Sequence, residues 1–297
     1  MKIYYGIEDN HIDVTEICLS KLLSNNIITI PLEDNNRAYY FGDPIYGILK
    51  QIFISINDDN EKIKYSDKCK IYINIITNEI TIEDEIDITN KIINLHSKLN
   101  LNYGSFNEEL PEQKMAVRYL KGNEKVLEIG GNIGRNSLII SSILNNDNNL
   151  VTLESDENIS KQLIENRNLN NLHFHVENSA LSIKKMIQKG WDTIQSDVLL
   201  DGYKWTNTIT LEELKNKYNI NFDTLVLDCE GAFYYILLDM PEILDNINLI
   251  IMENDYYDLS KKQYVDNILI QNNFIRDYSE SGGWGPCYNN FFEVWKK

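Results

Sequence analysis

No two cysteines of this chain stand close in sequence. Cys18, Cys69, Cys229 and Cys287 are scattered and never form a Cys-x-x-Cys pair, so neither a zinc site nor a disulfide framework is indicated, and a reducing compartment fits. No apolar run reaches the ~18 residues of a membrane helix, so no membrane span is expected. The opening Met1-Lys2-Ile3-Tyr4-Tyr5 lacks a signal-peptide core, which makes a cytoplasmic location the expectation. Positive charge is scarce: Lys and Arg number 28 against 45 Asp and Glu, a net charge of −17. Polyphosphate backbones repel such a chain, so no nucleic-acid partner is expected. What remains is ordinary for a globular protein, with 43% hydrophobic and 25% charged residues. A length of 297 residues suits two domains better than one core.

The first of these, residues 1–85, reads as a β-rich, sandwich-like domain. Short runs rich in β-branched and aromatic residues at 3–5, 27–30, 51–56 and 70–76 read as strands, and 78–82 returns after a turn as a hairpin would. Turn signals separate them at Glu8-Asp9-Asn10, Glu33-Asp34-Asn35-Asn36, Gly42-Asp43-Pro44 and Asn57-Asp58-Asp59-Asn60. Residues 15–23 suit a helical turn. The pattern Tyr5-Gly6, Ile12-Asp13-Val14-Thr15, Asp43-Pro44 and Lys50 before Ile52-Phe53-Ile54 resembles a β-rich domain of some J-domain co-chaperones. That resemblance implies no chemistry; the plain reading is a structural or oligomerisation domain, which allows a homo-oligomer through it, with glycan binding as the alternative. Residues 86–102 carry helical periodicity after the acidic run Glu83-Asp84-Glu85 and read as a helical connector to a second domain at 103–297.

That domain is organised around residues 125–137. A short apolar strand, Val126-Leu127-Glu128-Ile129, enters a glycine turn, Gly130-Gly131-Asn132-Ile133-Gly134, and a helix follows. Such a turn leaves backbone N–H groups free at a helix start and lets a ligand approach closely. The dinucleotide fingerprint fails, because its second and third glycines are Asn132 and Arg135, and the Gly-Lys-Ser/Thr of a phosphate loop is missing. The acid two residues before the glycines instead resembles the first motif of class I S-adenosylmethionine (SAM) methyltransferases. SAM is cationic and carries no phosphate, so a carboxylate near the turn is useful. The resemblance implies cofactor contacts at Glu128, Gly130, Gly131, Asn132 and Gly134. A second strand at 150–154 ends in Glu154, about 20 residues past the glycines, where a carboxylate accepts the ribose hydroxyls; Asp156 is its rival. The third strand, 172–176, leads to Asn178, Ser179 and Ala180, which the resemblance places at the adenine. His173 and His175 share one strand face but lack a third metal ligand nearby in sequence.

Residues 183–220 exceed a normal crossover and hold Trp191, Tyr203 and Trp205, suited to acceptor binding or to core packing. Thr210 and Glu213 form a capping-box pattern. A fourth strand at 222–227 delivers Asp228-Cys229-Glu230-Gly231. With the Thr-Leu helix start before it and the glycine motif, this resembles the FkbM-type SAM-dependent methyltransferases over residues 103–297. The family's Glu two residues after that glycine is Phe233 here. The fuller strings also resemble members from giant DNA viruses, which implies a host-cytoplasm setting. A fifth strand at 248–252 ends in Glu253-Asn254-Asp255, and 274–278 with 290–295 form a last hairpin around a glycine-rich tip bearing Trp284.

The expected architecture is therefore α/β: a class I methyltransferase fold with a seven-stranded, mostly parallel, Rossmann-like sheet, preceded by the small β-rich domain. The resemblance implies an O-methyltransferase that takes SAM and acts on a hydroxyl of a sugar, glycan or other small molecule. Asp228, Glu230, Glu253 and Asn254 are its catalytic candidates, with Asp228 also touching the cofactor. The favoured chemistry is a metal-free carboxylate base. An acid after strand four with the acid-Asn pair after strand five as a Mg²⁺ site is the less favoured version, since no third carboxylate is placed. A SAM-fold binding or scaffold protein without catalysis is the alternative, suggested by Phe233.

Overall fold

The computed structural model describes every residue except 57–61, and at 83–86 it describes the backbone alone. The turn expected at Asn57-Asp58-Asp59-Asn60 lies outside the described residues. The chain divides into two compact units, Met1–Lys91 and Ile92–Lys297.

The first unit holds two four-stranded antiparallel sheets. One orders Asn10–Asp13, Lys2–Ile7, Gln51–Ser55 and Ile63–Tyr65; the other orders Leu23–Ser24, Ile27–Ile30, Cys69–Asn74 and Ile80–Asp84. Period-2 alternation explains the packing: Ile3, Tyr5, Ile52 and Ile54 from one sheet share a sealed core with Ile28, Ile30, Ile71 and Ile73 from the other.

Sequence reading fails at 33–36. A helix, Asp34–Phe41, starts where a turn is expected, and only Glu33 takes a left-handed φ of 66°. Tertiary contacts override the turn composition. The buried Arg37 guanidinium donates to Pro31 O at 2.9 Å and Cys69 O at 2.6 Å, while Asp34 accepts from the Tyr5 hydroxyl at 2.6 Å. The acidic run 83–85 is a strand end and a helix start, because Ile80–Asp84 passes directly into the helix Glu85–His96.

The second unit contains a seven-stranded sheet. Its strands are β1 (Val126–Ile129), β2 (Leu150–Leu153), β3 (His175–Glu177), β4 (Thr224–Leu227), β5 (Leu249–Glu253), β6 (Ile275–Glu280) and β7 (Phe292–Lys296). They lie in the order 3-2-1-4-5-7-6. The first five are parallel, and β7 runs antiparallel to both β5 and β6. Buried on both faces, β1, β2, β4 and β5 read as near-continuous apolar runs.

Helices cover both faces. On one lie α1 (Leu110–Tyr119), α2 (Arg135–Ile143) and α3 (Glu157–Leu169), packed through Met115, Leu138, Ile140 and Leu163. On the other lie α4 (Leu211–Tyr218), α5 (Phe233–Asp239) and α6 (Leu259–Gln271), packed through Leu214, Phe233, Leu237 and Leu269. The capping box at Thr210 and Glu213 starts α4, and a second at Ser105 and Glu108 starts the turn leading into α1. Among the described residues no helix is long and apolar enough to cross a membrane.

The long crossover 183–220 folds into a three-stranded antiparallel sheet, Asp192–Gln195, Met186–Lys189 and Lys204–Thr206. Its Trp191 and Trp205 are 64% and 48% exposed, so they are not core residues.

Candidate active site

In an open α/β sheet, ligands sit outside the carboxyl ends of the strands, where the strand order reverses. Here the reversal falls between β1 and β4. The glycine turn leaves β1 at that point. A Cβ on Gly130 would stand 1.6 Å from Asp228 O, and one on Gly131 would stand 2.1 Å from Thr152 Oγ1. Gly130 and Gly134 both adopt φ of +91°, which L side chains rarely take. The turn therefore nests against the turn after β4.

Glu154 closes over it. Its Oε2 accepts from Asn132 N at 2.9 Å and its Oε1 from Asp156 N at 2.7 Å. Burial raises its pKa and these amides pull it back. Asp156, the rival, caps α3 by accepting from Asn158 N and Ile159 N and pairs with Lys204 at 2.7 Å. Asn178 sits beside Glu154, its Nδ2 donating to Glu154 O at 2.8 Å. Ser179 is buried next to Glu177, and Ala180 N donates to Asn207 O. Asn132, Glu154 and Asn178 are thus one connected rim, with Ser179 and Ala180 continuing the chain from it. His173 and His175 stand apart from it: His173 is near Asp147, and His175 stacks on Tyr218 with centroids 4.5 Å apart.

Glu128 departs from its expected place. Strand alternation turns it away from Leu127 and Ile129, onto the α2 face opposite Thr152. There it is 3% exposed, and its carboxyl is hydrogen-bonded to Ser137 Oγ beneath the glycine turn. Burial pushes its pKa up to about 7, against the hydrogen bonds from Ser137 and Thr152, which lower it. A carboxyl raised by folding contributes stability that is whole below its unfolded value of 4.5 and is lost as pH rises through about 7. Roughly 3 kcal/mol should disappear between those limits at ~1.4 kcal/mol per unit. Urea unfolding of the ligand-free protein from acid to neutral pH, against Glu128→Gln, reads this difference. Parallel curves for the two proteins would refute the assignment.

The carboxyl ends of β4 and β5 carry an acidic cluster. Asp228, Glu253 and Asp255 bring one oxygen each to within 4.8 Å of one another. Burial, then Glu109 and Asp255, raise the Asp228 pKa well above the ordinary range. Burial, then a hydrogen bond with Glu112, raise that of Glu253. Asp255 is pushed up to about 7 by burial and then by Glu230 and Glu112. Glu112, on the first turn of α1, is buried rather than solvated, as is Gln113, which binds His96 at 2.6 Å and Phe106 O at 2.8 Å. Glu230 stands exposed beside the cluster with a left-handed φ of 51°. For a residue with a Cβ that conformation costs ~1–3 kcal/mol and marks a position the surroundings impose.

Asn254 is not part of the cleft. It is fully buried, its Nδ2 donating to Asn290 O at 2.6 Å and its N to Phe291 O at 2.8 Å. Asp255 occupies the cleft instead. Residues two apart at a strand end share a side, so Glu253 and Asp255 point together and Asn254 opposes them. That period was the available signal. Phe233 is also turned away, into the apolar layer under α5.

The strand order 3-2-1-4-5-7-6, with helices on both faces and a glycine turn at the reversal, is the seven-stranded, mostly parallel, Rossmann-like α/β arrangement expected from the sequence. No protein-family model matches the chain, and no curated protein matches it. Solved structures with a likeness to it include an O-methyltransferase from Bacillus cereus in complex with SAH, at 16% identity and a TM-score of 0.39, covering 72% of this chain and 92% of that one. Another is a ribosomal protein L11 methylase from Lactobacillus delbrueckii subsp. bulgaricus, at 11% and 0.41, covering 67% and 83%. A methyltransferase from Pyrococcus furiosus gives 13% and 0.39, covering 66% and 87%. At these values the likenesses carry no weight for acceptor or activity.

Proposed function

We propose that this protein binds SAM at the β1–β2 rim and transfers its methyl group to a hydroxyl of a sugar or another small molecule. One observation carries the choice of cofactor. Asn132 N, in the turn that would cradle a phosphate, is already taken by the Glu154 carboxylate at 2.9 Å. A pyrophosphate needs that turn's amides free and its surroundings neutral or positive. A turn dressed by a carboxylate and facing an acidic cluster suits a cation without phosphates. Each Glu154 oxygen keeps a lone pair beyond the one its backbone partner uses, so ribose hydroxyls can still donate to it. The residues present therefore fit SAM.

When bound, SAM supplies an electrophilic methyl group on a sulfonium. The chain's own residues do the rest. Gly130 and Gly131 keep the floor clear of side chains, and Glu128 fixes Ser137 at the start of α2 from below. Glu154 holds the ribose, with Asn178 steadying the turn beside it. Glu230, exposed and outside the carboxylate trio, accepts the acceptor's hydroxyl proton. The likeness of Asp228-Cys229-Glu230-Gly231 to the FkbM pattern supports a sugar hydroxyl as acceptor, and the net charge of −17 weighs against nucleic acid. The binding-only alternative rested on Phe233, and a side chain facing the core removes no acid from the cleft.

Titration calorimetry with SAM and with S-adenosylhomocysteine tests the cofactor, and Glu154→Ala should weaken binding by ~1.5–3 kcal/mol. Methyl transfer to a panel of sugars then tests the acceptor. Glu230→Gln should lower kcat while SAM affinity stays the same. Unchanged affinity in Glu154→Ala would sink the cofactor assignment, and SAM binding with no turnover on the panel would favour the binding-only protein.

A further inference from the structure

Two large aromatic side chains stand in solvent beside the acidic turns and take no part in the core. Tyr257 is 75% exposed and Trp284 is 44% exposed. Their rings meet with centroids 4.8 Å apart and an interplanar angle of 51°. Tyr257 follows Asp255 by two residues, and Tyr256 between them is buried in the core, which anchors the segment. The turn carrying Glu230 lies against it: a Cβ on Gly231 would stand 3.2 Å from Asp255 O and 3.5 Å from the Tyr256 ring. Trp284 reaches the same place from the β6–β7 tip, and that tip is seated. A Cβ on Gly282 would stand 2.5 Å from the Phe292 ring, and one on Gly283 would stand 2.3 Å from the Phe291 ring. Phe292 pairs with Glu253 at the carboxyl end of β5, and Cys287 Sγ donates to Tyr256 O at 3.6 Å. Both rings are thus tied to the strand end that carries the acids. Contiguous exposed aromatics beside convergent polar groups mark a ligand site.

We propose that Tyr257 and Trp284 form the platform on which the acceptor's ring lies, and that this ring is a neutral sugar. The assignment rests on the methyl-transfer reading above. A pyranose has an apolar C–H face that packs on aromatic rings, and its edge carries hydroxyls. Carboxylates such as Glu230 and Asp255, next to the platform, accept from such hydroxyls. Rings tilted at 51° make an open V, which suits a puckered ring better than a flat one that stacks in parallel. Charge narrows the class. Asp228, Glu253 and Asp255 bring their oxygens within 4.8 Å of one another, so a phosphate or carboxylate on the acceptor would add another like charge there. Arg135 is engaged by Glu108 and Glu109, and Lys261, at the start of α6, by the Tyr235 hydroxyl at 2.8 Å. The methyl group then goes onto a sugar that has left its phosphate carrier, so a glycosyl transfer or a dephosphorylation precedes it.

Saturation-transfer NMR reads binding without turnover. Full-length protein with S-adenosylhomocysteine is probed with the methyl glycosides of glucose, galactose, mannose, fucose and xylose. At least one should bind through its C–H face. Trp284→Ala and Tyr257→Ala should each weaken it ~10-fold. Trp284→Phe and Tyr257→Phe should keep most of the affinity, because the ring and not the hydroxyl makes the contact. These variants should hold the wild-type Tm and S-adenosylhomocysteine affinity, since both side chains are exposed. No binding by any neutral glycoside overturns the proposal, as does binding that both alanine variants keep. Tighter binding of catechol than of any sugar, lost in the same variants, overturns the sugar in favour of a flat phenol. A phosphate ester bound as tightly as its parent sugar overturns the neutrality. S-adenosylhomocysteine binding without sugar binding defeats the platform alone. Sugar binding without S-adenosylhomocysteine binding defeats the methyl-transfer reading and leaves the sugar site standing.

Discussion

Alanine at Gly130 is expected to abolish cofactor binding and to destabilise the second unit by about 4 kcal/mol or more, the range of the rare severe substitutions. The added Cβ would lie 1.6 Å from Asp228 O and 2.6 Å from its carbonyl carbon. Both are backbone atoms and cannot rotate aside. Relief would require β1 and β4 to part at their carboxyl ends, where they pair through Leu227 and Ile129. The φ of +91° adds strain of its own. Gly131→Ala is the milder neighbour, because the atom it meets, Thr152 Oγ1, belongs to a side chain that can turn. Gly190→Ala is the control: its φ is +59° with nothing within 4 Å, so it should cost only ~1 kcal/mol. Urea unfolding with SAM titration measures all three. A Gly130→Ala protein that unfolds like Gly190→Ala would show that the two turns do not need their close approach.

Much of this architecture is legible in the chain because its signals are local. Continuous apolar runs announce parallel strands buried on both faces, and the seven-stranded sheet expected from them is present. The capping box at Thr210 and Glu213 forms as its spacing implies. The misses are of another kind. Asp34-Asn35-Asn36 has the composition of a turn, and a buried Arg37 reaching Pro31 O and Cys69 O makes it a helix. Nothing within five residues announces that. Glu128 looks like a ligand by position, yet β1 alternation drives it under Ser137. Glu112, in the first turn of α1, is buried because of what that helix faces. Asp255 was readable, since the strand period pairs it with Glu253 and excludes Asn254. The resemblance to known motifs favours the acid-Asn pair instead.

Glu293→Ala is expected to cost ~1.5–3 kcal/mol, the range for lost charge-assisted hydrogen bonds, because Lys262 keeps Asp266 as a partner and Arg276 is 43% exposed. Glu293 is fully buried on β7, facing the same side as Trp295. Its carboxylate accepts from Lys262 Nζ at 2.9 Å, Arg276 Nη1 at 2.8 Å and Trp295 Nε1 at 3.1 Å. Burial pushes its pKa up, and Lys262 and Arg276 together outweigh burial, so it lies below the ordinary 4.5. A lowered carboxylate contributes stability that is present above 4.5 and is lost as pH falls through its folded value. The wild type should therefore exceed Glu293→Ala in urea unfolding at neutral pH, with the gap narrowing below about pH 4.5. A constant gap across that window would show that packing, not charge, sets the effect. The consequence reaches the cleft. The segment entering β7 supplies Asn290 O and Phe291 O, the partners that pin Asn254 between Glu253 and Asp255.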